Sequence, residues 1–220
     1  MSSYLTAVIP VRKGSQRVED KNLRLFNKKN LLTHKIEKLK KIKGIDKIVI
    51  NTDSEKAIKI AKDHGVNYWK REDYFASSKC SNSEFWSHIA DTTDSKFIMF
   101  TNCTSPLVKI ETYKVILEKF DQIKDSYDSL NTVTDEKQFL FSDNKALNFD
   151  SKKAPNSQNL PEIVKLNFAV NILSKNLMSS SKSVLGKKPY LFKLDEIEGF
   201  DIDTVFDFEF AEYIHKKIYK

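Results

Sequence analysis

The first loop of the chain combines cationic, hydroxyl and amide side chains around a glycine. It follows an apolar run that Pro10 interrupts, and Gly14 allows main-chain conformations that a side chain would hinder, so the backbone amides of residues 13–16 can turn toward one point. Convergent amides beside arginine and lysine are typical of a phosphate site. The spacing is neither that of a Walker A loop nor that of a dinucleotide-binding GxGxxG loop. The candidate phosphate-binding residues are Arg12, Gly14, Ser15, Arg17, Lys21 and Asn22.

A pair of acidic residues near the other end of the chain could hold a metal ion. Asp201 and Asp203 are two positions apart, so in an extended segment both carboxylates project to the same side. Mg²⁺ takes one or two protein carboxylates together with water and substrate phosphates. The alternative is a structural role, because Asp203 or Thr204 could cap the helix that follows. Together with a separate phosphate loop, the pair favours a site for a nucleotide and Mg²⁺.

The elements that would bring these segments together alternate between strand and helix. Strands are predicted over 4–11, 47–51, 66–69, 97–101, 128–134 and 165–173, and helices over 31–43, 55–64, 84–92, 109–120, 204–213 and 213–220. Continuous apolar runs are typical of strands covered on both faces. The order predicts an α/β fold with a doubly wound, mostly parallel sheet flanked by helices, whose ligands bind beyond the carboxyl ends of the strands. The basic loop, Asp53 and the 104–106 turn are expected at that edge.

Length and composition are those of an ordinary globular protein. The 220 residues suit one domain, in which 135–164, a polar segment rich in Asn, Ser and Lys, is an inserted arm. No apolar run is long enough to cross a bilayer and the first residues do not resemble a secretory signal, so we expect a cytoplasmic protein that does not bind membranes. Cys80 and Cys103 lack metal-ligand spacing and are expected as free thiols. The net charge of +7 comes mainly from lysines scattered among acids, so no nucleic-acid partner is expected.

An ordered set of short motifs runs from about residue 4 to 213. The motifs are Ile9-Pro-x-Arg12-x-Gly14-Ser15, Lys21-Asn22, Thr52-Asp53, Arg71 followed by Phe75-Ala76-Ser77, Thr104-Ser105-Pro106-Leu107, Asn167-x-Ala169 and Asp201-Ile-Asp203-Thr204. No single piece is specific, but in this order and at these spacings the set resembles the acylneuraminate cytidylyltransferases, which are the CMP-sialic acid synthetases.

The resemblance implies a fold like that of the nucleotide-diphospho-sugar transferases. It also implies transfer of CMP from CTP to a hydroxyl of a small anionic sugar, a nonulosonic acid, with release of pyrophosphate and a requirement for Mg²⁺. Catalytic roles are implied for Arg12, Lys21 and Asp201, and Mg²⁺ ligation for Asp201 and Asp203. Other nucleotide contacts are implied at Gly14, Ser15, Gln16, Asn22, Arg71, Ser81 and Asn82, and acceptor contacts at Asn102, Thr104, Ser105, Lys165 and Asn167. The family's counterpart of the 135–164 arm often reaches a partner subunit, so we expect a homodimer.

The chain departs from the family pattern at several positions. Gln16 stands where a lysine is usual, Asn82 where a serine is usual, and Asn102 where a glutamine is usual. Lys165 replaces an arginine that meets the sugar carboxylate, and lysine pairs as a point charge rather than as a bidentate fork. Asn171 replaces an aromatic residue. Because the changes lie more on the acceptor side, the sequence defines the nucleotide more narrowly than the acceptor, which could be another nonulosonate, Kdo or a less related hydroxylated acid.

Two other functions are compatible with parts of the sequence. A metal-dependent glycosyltransferase of the same fold class also uses an Asp-x-Asp motif, although that motif ordinarily lies in mid-chain, and pyrophosphate release would separate the two activities. A nucleic-acid-binding module would show steeply salt-dependent binding. The histidines are expected on helix surfaces or at helix ends rather than in a catalytic triad; they are His34, His64, His88 and His215.

Overall fold

A computed structural model describes residues 3–14 and 17–219 of the chain. The strands are β1 (Ser3–Val11), β2 (Leu25–Phe26), β3 (Lys29–Asn30), β4 (Lys47–Thr52), β5 (Asn67–Lys70), β6 (Ser95–Phe100), β7 (Ser129–Asp135), β8 (Phe141–Ser142), β9 (Lys145–Ala146), β10 (Val164–Ser174) and β11 (Pro189–Lys193). The helices are α1 (Leu31–Leu39), α2 (Glu55–Asp63), α3 (Asp73–Ala76), α4 (Asn82–Thr92), α5 (Ile110–Ile123), α6 (Lys175–Ser181) and α7 (Val205–Ile218), with a 3₁₀ turn at Ser157–Asn159.

Seven of the strands form one sheet in the order β11-β7-β10-β6-β1-β4-β5. β1 pairs in parallel with both β4 and β6, β4 pairs in parallel with β5, and β11 pairs in parallel with β7. β10 runs antiparallel to its neighbours β6 and β7. The prediction of a mostly parallel α/β sheet is therefore confirmed, and β10 is the exception within the described part of the chain.

Apolar cores lie on both faces of the sheet, as the continuous apolar runs predicted. One face carries side chains from α1, α2, α5 and α7, and its core includes Leu32, Tyr113 and Phe208. The other face is covered by α4 and α6, which pack Ile89 and Met178 against the strands. Burial of apolar surface on both sides is the main favourable contribution to holding the sheet in place.

Several elements differ from the sequence prediction. The last helix is continuous from Val205 to Ile218, because nothing after its Thr204–Asp207 capping box interrupts it and basic residues occupy its last turn. Helix α1 ends at Leu39 rather than at residue 43. Helix α6 and strand β11 were not predicted. The 135–164 segment contains the β8–β9 hairpin and the 3₁₀ turn.

The strands β1, β4 and β6 end at the same edge of the sheet because they are parallel. Val11 pairs with Thr52 at the ends of β1 and β4, and the loop after β6 begins at Thr101. The Asp53 carboxylate accepts a hydrogen bond of 2.8 Å from the Lys13 amide, so the loops after β1 and β4 are joined directly. Within the described residues, no helix is long and apolar enough to cross a membrane.

Candidate active site

A polar cleft of about 450 Å³ opens at this edge of the sheet. The loop after β1, the end of β5, the loop after β6 and the segment before α7 all contribute to its lining. Its lining residues are Pro10, Arg12, Arg17, Lys21, Asn22, Arg71, Asn102, Cys103, Thr104, Asp201 and Asp203. Four cations thus surround two carboxylates, an arrangement suited to a polyphosphate and a divalent cation. We call this space the nucleotide cleft, after the ligand that the sequence analysis predicts for it.

The basic loop contacts the acidic pair directly. Arg17 Nη2 lies 2.8 Å from Asp203 Oδ1, and Lys21 Nζ lies 3.7 Å from the same oxygen. Lys21 also donates a hydrogen bond to the Ile202 carbonyl oxygen. The Arg17 side chain is 67% exposed and that of Lys21 only 11% exposed. Lys21 is therefore the fixed cation of the basic loop, whereas the exposed pair of Arg17 with Asp203 contributes little to stability.

Asp201 has an unusual environment for a carboxyl group. Burial raises its pKa to about 6, and the nearby Asp203 charge acts in the same direction, whereas the Thr104 hydroxyl and the Lys21 ammonium oppose it. Its Oδ1 atom is buried without a hydrogen-bond partner among the described residues. A buried oxygen without a partner has free capacity for a proton or a cation.

Arg71 lies at the base of the nucleotide cleft and is only 5% exposed. Its Nε and Nη2 atoms donate hydrogen bonds of 2.7 Å to the side-chain and main-chain oxygens of Asn51. The guanidinium also lies over the Phe85 ring, 4.2 Å from the centroid. Burial lowers the pKa of Arg71 to about 10, which leaves it charged at neutral pH. Asn51 and Phe85 thus fix the orientation of a buried cation that faces the ligand space.

A second cleft of about 510 Å³ adjoins the first. Asp201 and Asp203 line both clefts, and Lys165 and Asn167 line the second one. Its charged residues are Asp135, Glu136, Lys137, Lys165, Glu196, Asp201, Asp203 and Asp207. Its six carboxylates can accept hydrogen bonds from hydroxyl groups, and its two lysines are the cations of the lining that could attract an acidic group. We call this space the acceptor cleft, after the ligand that the sequence analysis predicts for Lys165 and Asn167.

Some of the predicted site residues lie elsewhere. Ser81 caps α4 through a capping box with Glu84, and Asn82 is the exposed first residue of that helix, so neither lines the two clefts. Ser105 is fully buried and does not line either cleft. Gly14 adopts a φ of +69°, which explains the glycine. Ser15 and Gln16 are outside the described residues.

Asn167 and Asn171 are buried in an irregular part of β10. The register between β10 and β7 shifts between Leu166 and Asn171, and Phe168 has a φ of +55°. Asn167 Oδ1 accepts a hydrogen bond of 2.7 Å from the Thr132 hydroxyl. Asn171 Oδ1 accepts one of 2.9 Å from Asn131 Nδ2. Asn171 therefore has a polar partner inside the sheet and does not line either cleft.

Sequence reasoning missed the residues that orient Arg71, and it misplaced two histidines. Asn51 and Phe85 carry no local signal for this role beyond their position at a strand end and on an amphipathic helix. His88 and His215 are 9% and 5% exposed rather than on the surface: His88 stacks on Phe75, and His215 accepts a hydrogen bond from Asn27. Cys80 and Cys103 are free thiols, as expected.

A mostly parallel α/β sheet with a cationic cleft and an acidic pair at the carboxyl edge of its strands defines a nucleotide-dependent transferase fold and site. The family model described as cytidylyltransferase matches residues 6–217. The chain belongs to this cytidylyltransferase family.

Curated relatives match along nearly the whole chain. The chain is 27% identical to the post-translational flagellin modification protein B of Campylobacter coli, over 98% of this chain and 96% of that one. It is 24% identical to the CMP-N,N'-diacetyllegionaminic acid synthase of Campylobacter jejuni, over 96% and 94% of the two chains. It is 28% identical to the N-acylneuraminate cytidylyltransferase of Escherichia coli, over 99% of this chain, which spans about half (53%) of that longer relative. The resemblance to acylneuraminate cytidylyltransferases is confirmed.

Solved structures show the same fold. The CMP:2-keto-3-deoxy-manno-octonic acid synthetase complexed with CTP superposes with a TM-score of 0.74 at 13% identity, covering 98% of this chain and 100% of that one. A 4-diphosphocytidyl-2C-methyl-D-erythritol synthase from Anaerococcus prevotii superposes with a TM-score of 0.69 at 12% identity, covering 97% and 99%. At these identities the likeness concerns the fold alone.

Proposed function

We propose that this protein transfers CMP from CTP to a hydroxyl group of a nonulosonic acid and releases pyrophosphate. The observation that carries the proposal is the position of Asp201 and Asp203, which line both the nucleotide cleft and the acceptor cleft. Groups at a shared wall can act on the bond that forms between two bound substrates. The names of the relatives, which include an N-acylneuraminate cytidylyltransferase and a legionaminic acid synthase, support this acceptor class.

The nucleotide cleft would bind CTP through its cations. Arg12 and Lys21 would contact the triphosphate, because they lie on the loop after β1 with Lys21 fixed against the acidic pair. Arg71 would contact the nucleoside, since it is buried and already oriented by Asn51. The buried Asn22 Oδ1 atom lacks a hydrogen-bond partner among the described residues and can accept one from the nucleotide.

The acidic pair has the chemistry of a Mg²⁺ site. The unpartnered Asp201 Oδ1 atom supplies an oxygen ligand, and Asp203 supplies a second carboxylate. Two protein carboxylates suit Mg²⁺, which keeps several waters and takes substrate phosphate oxygens. When bound, the ion would neutralise charge on the triphosphate.

The transfer itself needs mainly positioning and charge stabilisation from the protein. The acceptor oxygen forms a bond to the α-phosphorus of CTP while the bond from that phosphorus to the β-phosphate bridging oxygen breaks, and pyrophosphate leaves. Arg12 and Lys21 would stabilise the negative charge on the phosphoryl oxygens and on the leaving pyrophosphate. Asp201 would accept the proton of the acceptor hydroxyl.

The acceptor cleft would orient the sugar acid. Lys165 carries the positive charge expected to meet the acceptor carboxylate, and its ammonium now lies 3.4 Å from Glu136. Asn167 has a buried Nδ2 atom without a hydrogen-bond partner among the described residues, which is free to donate to the ligand. We further propose a homodimer in which the 135–164 arm contacts the partner subunit, and a cytoplasmic location.

A pyrophosphate-release assay tests the proposed function. CTP, UTP, ATP and GTP would each be combined with sialic, legionaminic and pseudaminic acids and with Kdo, in the presence of Mg²⁺. We expect release only with CTP and at least one of the nonulosonic acids, and none without an acceptor. Release of pyrophosphate with Kdo but with none of the nonulosonic acids would show that the acceptor is Kdo and not a nonulosonic acid. Sugar transfer from a nucleotide sugar without pyrophosphate release would instead indicate a glycosyltransferase.

A further inference from the structure

The loop that follows β6 is buried although it has no regular secondary structure. Residues 104–108 are at most 9% exposed and include part of the lining of the nucleotide cleft. A buried loop lacks the hydrogen-bond ladder that satisfies carbonyl oxygens in helices and strands, so each oxygen needs a donor from elsewhere.

All five carbonyl oxygens of this loop have such a donor. The Ile202 amide donates to Thr104 at 3.0 Å. The Tyr219 hydroxyl lies 3.2 Å from both the Leu107 and the Val108 oxygens and can donate to either. The remaining donors are lysine ammonium groups of α1: Lys35 to Ser105 at 3.2 Å, and Lys38 to Pro106 at 2.8 Å and to Val108.

Both ammonium groups bind neutral oxygens. Lys35 donates also to the Tyr113 hydroxyl at 2.7 Å and to the Thr101 hydroxyl at 3.3 Å, and Lys38 donates to the Tyr219 hydroxyl at 3.2 Å. Within residues 3–14 and 17–219 neither lysine forms an ion pair. Each ammonium thus uses its three donors to join the loop to α1 and to other elements.

Placing these two cations here is unfavourable in itself. Lys35 is only 3% exposed. Burial lowers the pKa of Lys38 to about 7, and the neighbouring Lys35 charge acts in the same direction, whereas the Glu198 and Glu111 charges oppose the shift. A buried charge without a counter-ion lowers stability relative to an apolar side chain of similar volume. A role in holding the loop explains why lysine rather than leucine or methionine occupies this face of the helix.

We propose that Lys35 and Lys38 are positioning residues for the Asp201–Asp203 pair. The ammonium groups hold the 104–108 loop, the Thr104 carbonyl of that loop accepts the Ile202 amide, and Ile202 lies between the two carboxylates. If the 104–108 loop becomes more mobile, Asp201 and Asp203 therefore become more mobile as well. This inference rests on the proposed function for its catalytic consequence, but the mechanical link can be measured without substrates.

Amide hydrogen exchange tests the mechanical link. Lys38→Met keeps the length of the side chain and removes its donors, and Lys41→Met is a matched control because Lys41 is an exposed lysine just after the same helix. We expect the Ile202 amide to exchange about tenfold faster in K38M than in the wild type, because its acceptor loosens, and at the wild-type rate in K41M. An unchanged rate at Ile202 in folded K38M would overturn the proposal.

Steady-state kinetics test the consequence for catalysis. In K35M and K38M we expect kcat to fall about tenfold and the half-saturating Mg²⁺ concentration to rise, with KM for CTP within about threefold of the wild-type value. A purely structural role would lower the melting temperature without changing kcat or the half-saturating Mg²⁺ concentration of the folded enzyme, and that result would contradict the proposal.

If the methionine variants do not fold, Tyr219→Phe is the alternative, because it removes only one hydroxyl group. We expect the Ile202 amide to exchange faster in Y219F than in the wild type. Exchange at the wild-type rate would reject the link between the loop and the acidic pair. Absence of pyrophosphate release in the wild type would reject the proposed function and leave the exchange result to decide this one.

Discussion

The Lys21 ammonium lies 3.7 Å from Asp203 Oδ1, although the two residues come from opposite ends of the chain. The contact is possible because β1 lies in the interior of the sheet and the segment before α7 passes over the carboxyl ends of β1 and β6. The cation and the carboxylate therefore share one wall of the nucleotide cleft. A triphosphate that entered the cleft would meet Lys21 and the proposed Mg²⁺ site at Asp203 at the same place.

Replacing Asp203 with asparagine tests the metal assignment. The change removes one negative charge and keeps the size of the side chain, so we expect Mg²⁺-dependent turnover to fall by at least about a hundredfold while the fold is retained. Glu209→Gln, an equivalent change on the exposed face of α7, should leave turnover unaffected. Pyrophosphate release over a Mg²⁺ titration and circular dichroism provide the measurements. Wild-type turnover in D203N would show that this carboxylate does not hold the ion.

Replacing Arg71 with lysine tests the nucleotide assignment. Lysine keeps the positive charge but loses the two-point contact with Asn51 and the stacking on Phe85. Hydrogen bonds to charged groups are worth about 1.5–3 kcal/mol each, so we expect KM for CTP to rise at least about tenfold with a smaller effect on KM for the acceptor. Arg24→Lys makes the same change at an exposed arginine and should leave both constants near wild type. An unchanged KM for CTP in R71K would contradict the role.

The parts of the fold that sequence predicts are those governed by local pattern. Continuous apolar runs indicate β1, β4 and β6, and the order of elements indicates their parallel pairing and the common edge at which the site lies. Strand β11 could not be predicted, because it is short, partly exposed and lies at the edge of the sheet. Helix α6 was not predicted either. The continuity of α7 past Tyr213 depends on its packing as much as on its caps.

The features of the site also divide into those that local sequence patterns predict and those that they do not predict. The motifs predict that Arg12, Lys21, Asp201 and Asp203 lie near one another, since each follows or precedes a recognisable element. Contacts between side chains on different elements carry no such signal. Lys35 gives one partial clue, because it lies on the apolar face of α1 between Leu32 and Leu39, where a lysine is unexpected. Which carbonyl oxygens it meets depends on the packed structure.

Replacing Lys165 with glutamine tests the acceptor side. Its ammonium is the predicted partner of the acceptor carboxylate, and its side chain is 63% exposed. Exposed ion pairs contribute up to about 1 kcal/mol, so we expect KM for the acceptor to rise about two- to fivefold and KM for CTP to stay unchanged. Lys216→Gln, at an exposed lysine of α7 whose ammonium lies 3.7 Å from Glu212, is the control. Equal acceptor constants for K165Q and K216Q would exclude Lys165 from acceptor binding.

The stability of the protein should fall in acid partly because of His215. Burial lowers its pKa to about 4, and the nearby His34 and Lys38 charges act in the same direction. The unfolded state, in which a histidine has a pKa of about 6.5, therefore binds a proton that the folded state excludes between these two values. The free energy of unfolding contributed by neutral His215 is complete above about pH 6.5 and is lost as the pH falls toward about 4, with a slope of up to about 1.4 kcal/mol per pH unit.

Urea unfolding of the wild type and His215→Asn at pH 4.5, 5.5, 6.5 and 7.5 measures this effect. Asparagine offers an oxygen in place of the Nδ1 atom that contacts Asn27 and cannot take up the proton. At pH 7.5 the two proteins differ only by the packing and hydrogen bonding that the ring provides. Below pH 6.5 we expect the wild type to lose stability more steeply than H215N, so that the difference between them narrows. Parallel curves from pH 7.5 to 4.5 would show that the buried ring accepts a proton as readily in the folded as in the unfolded state.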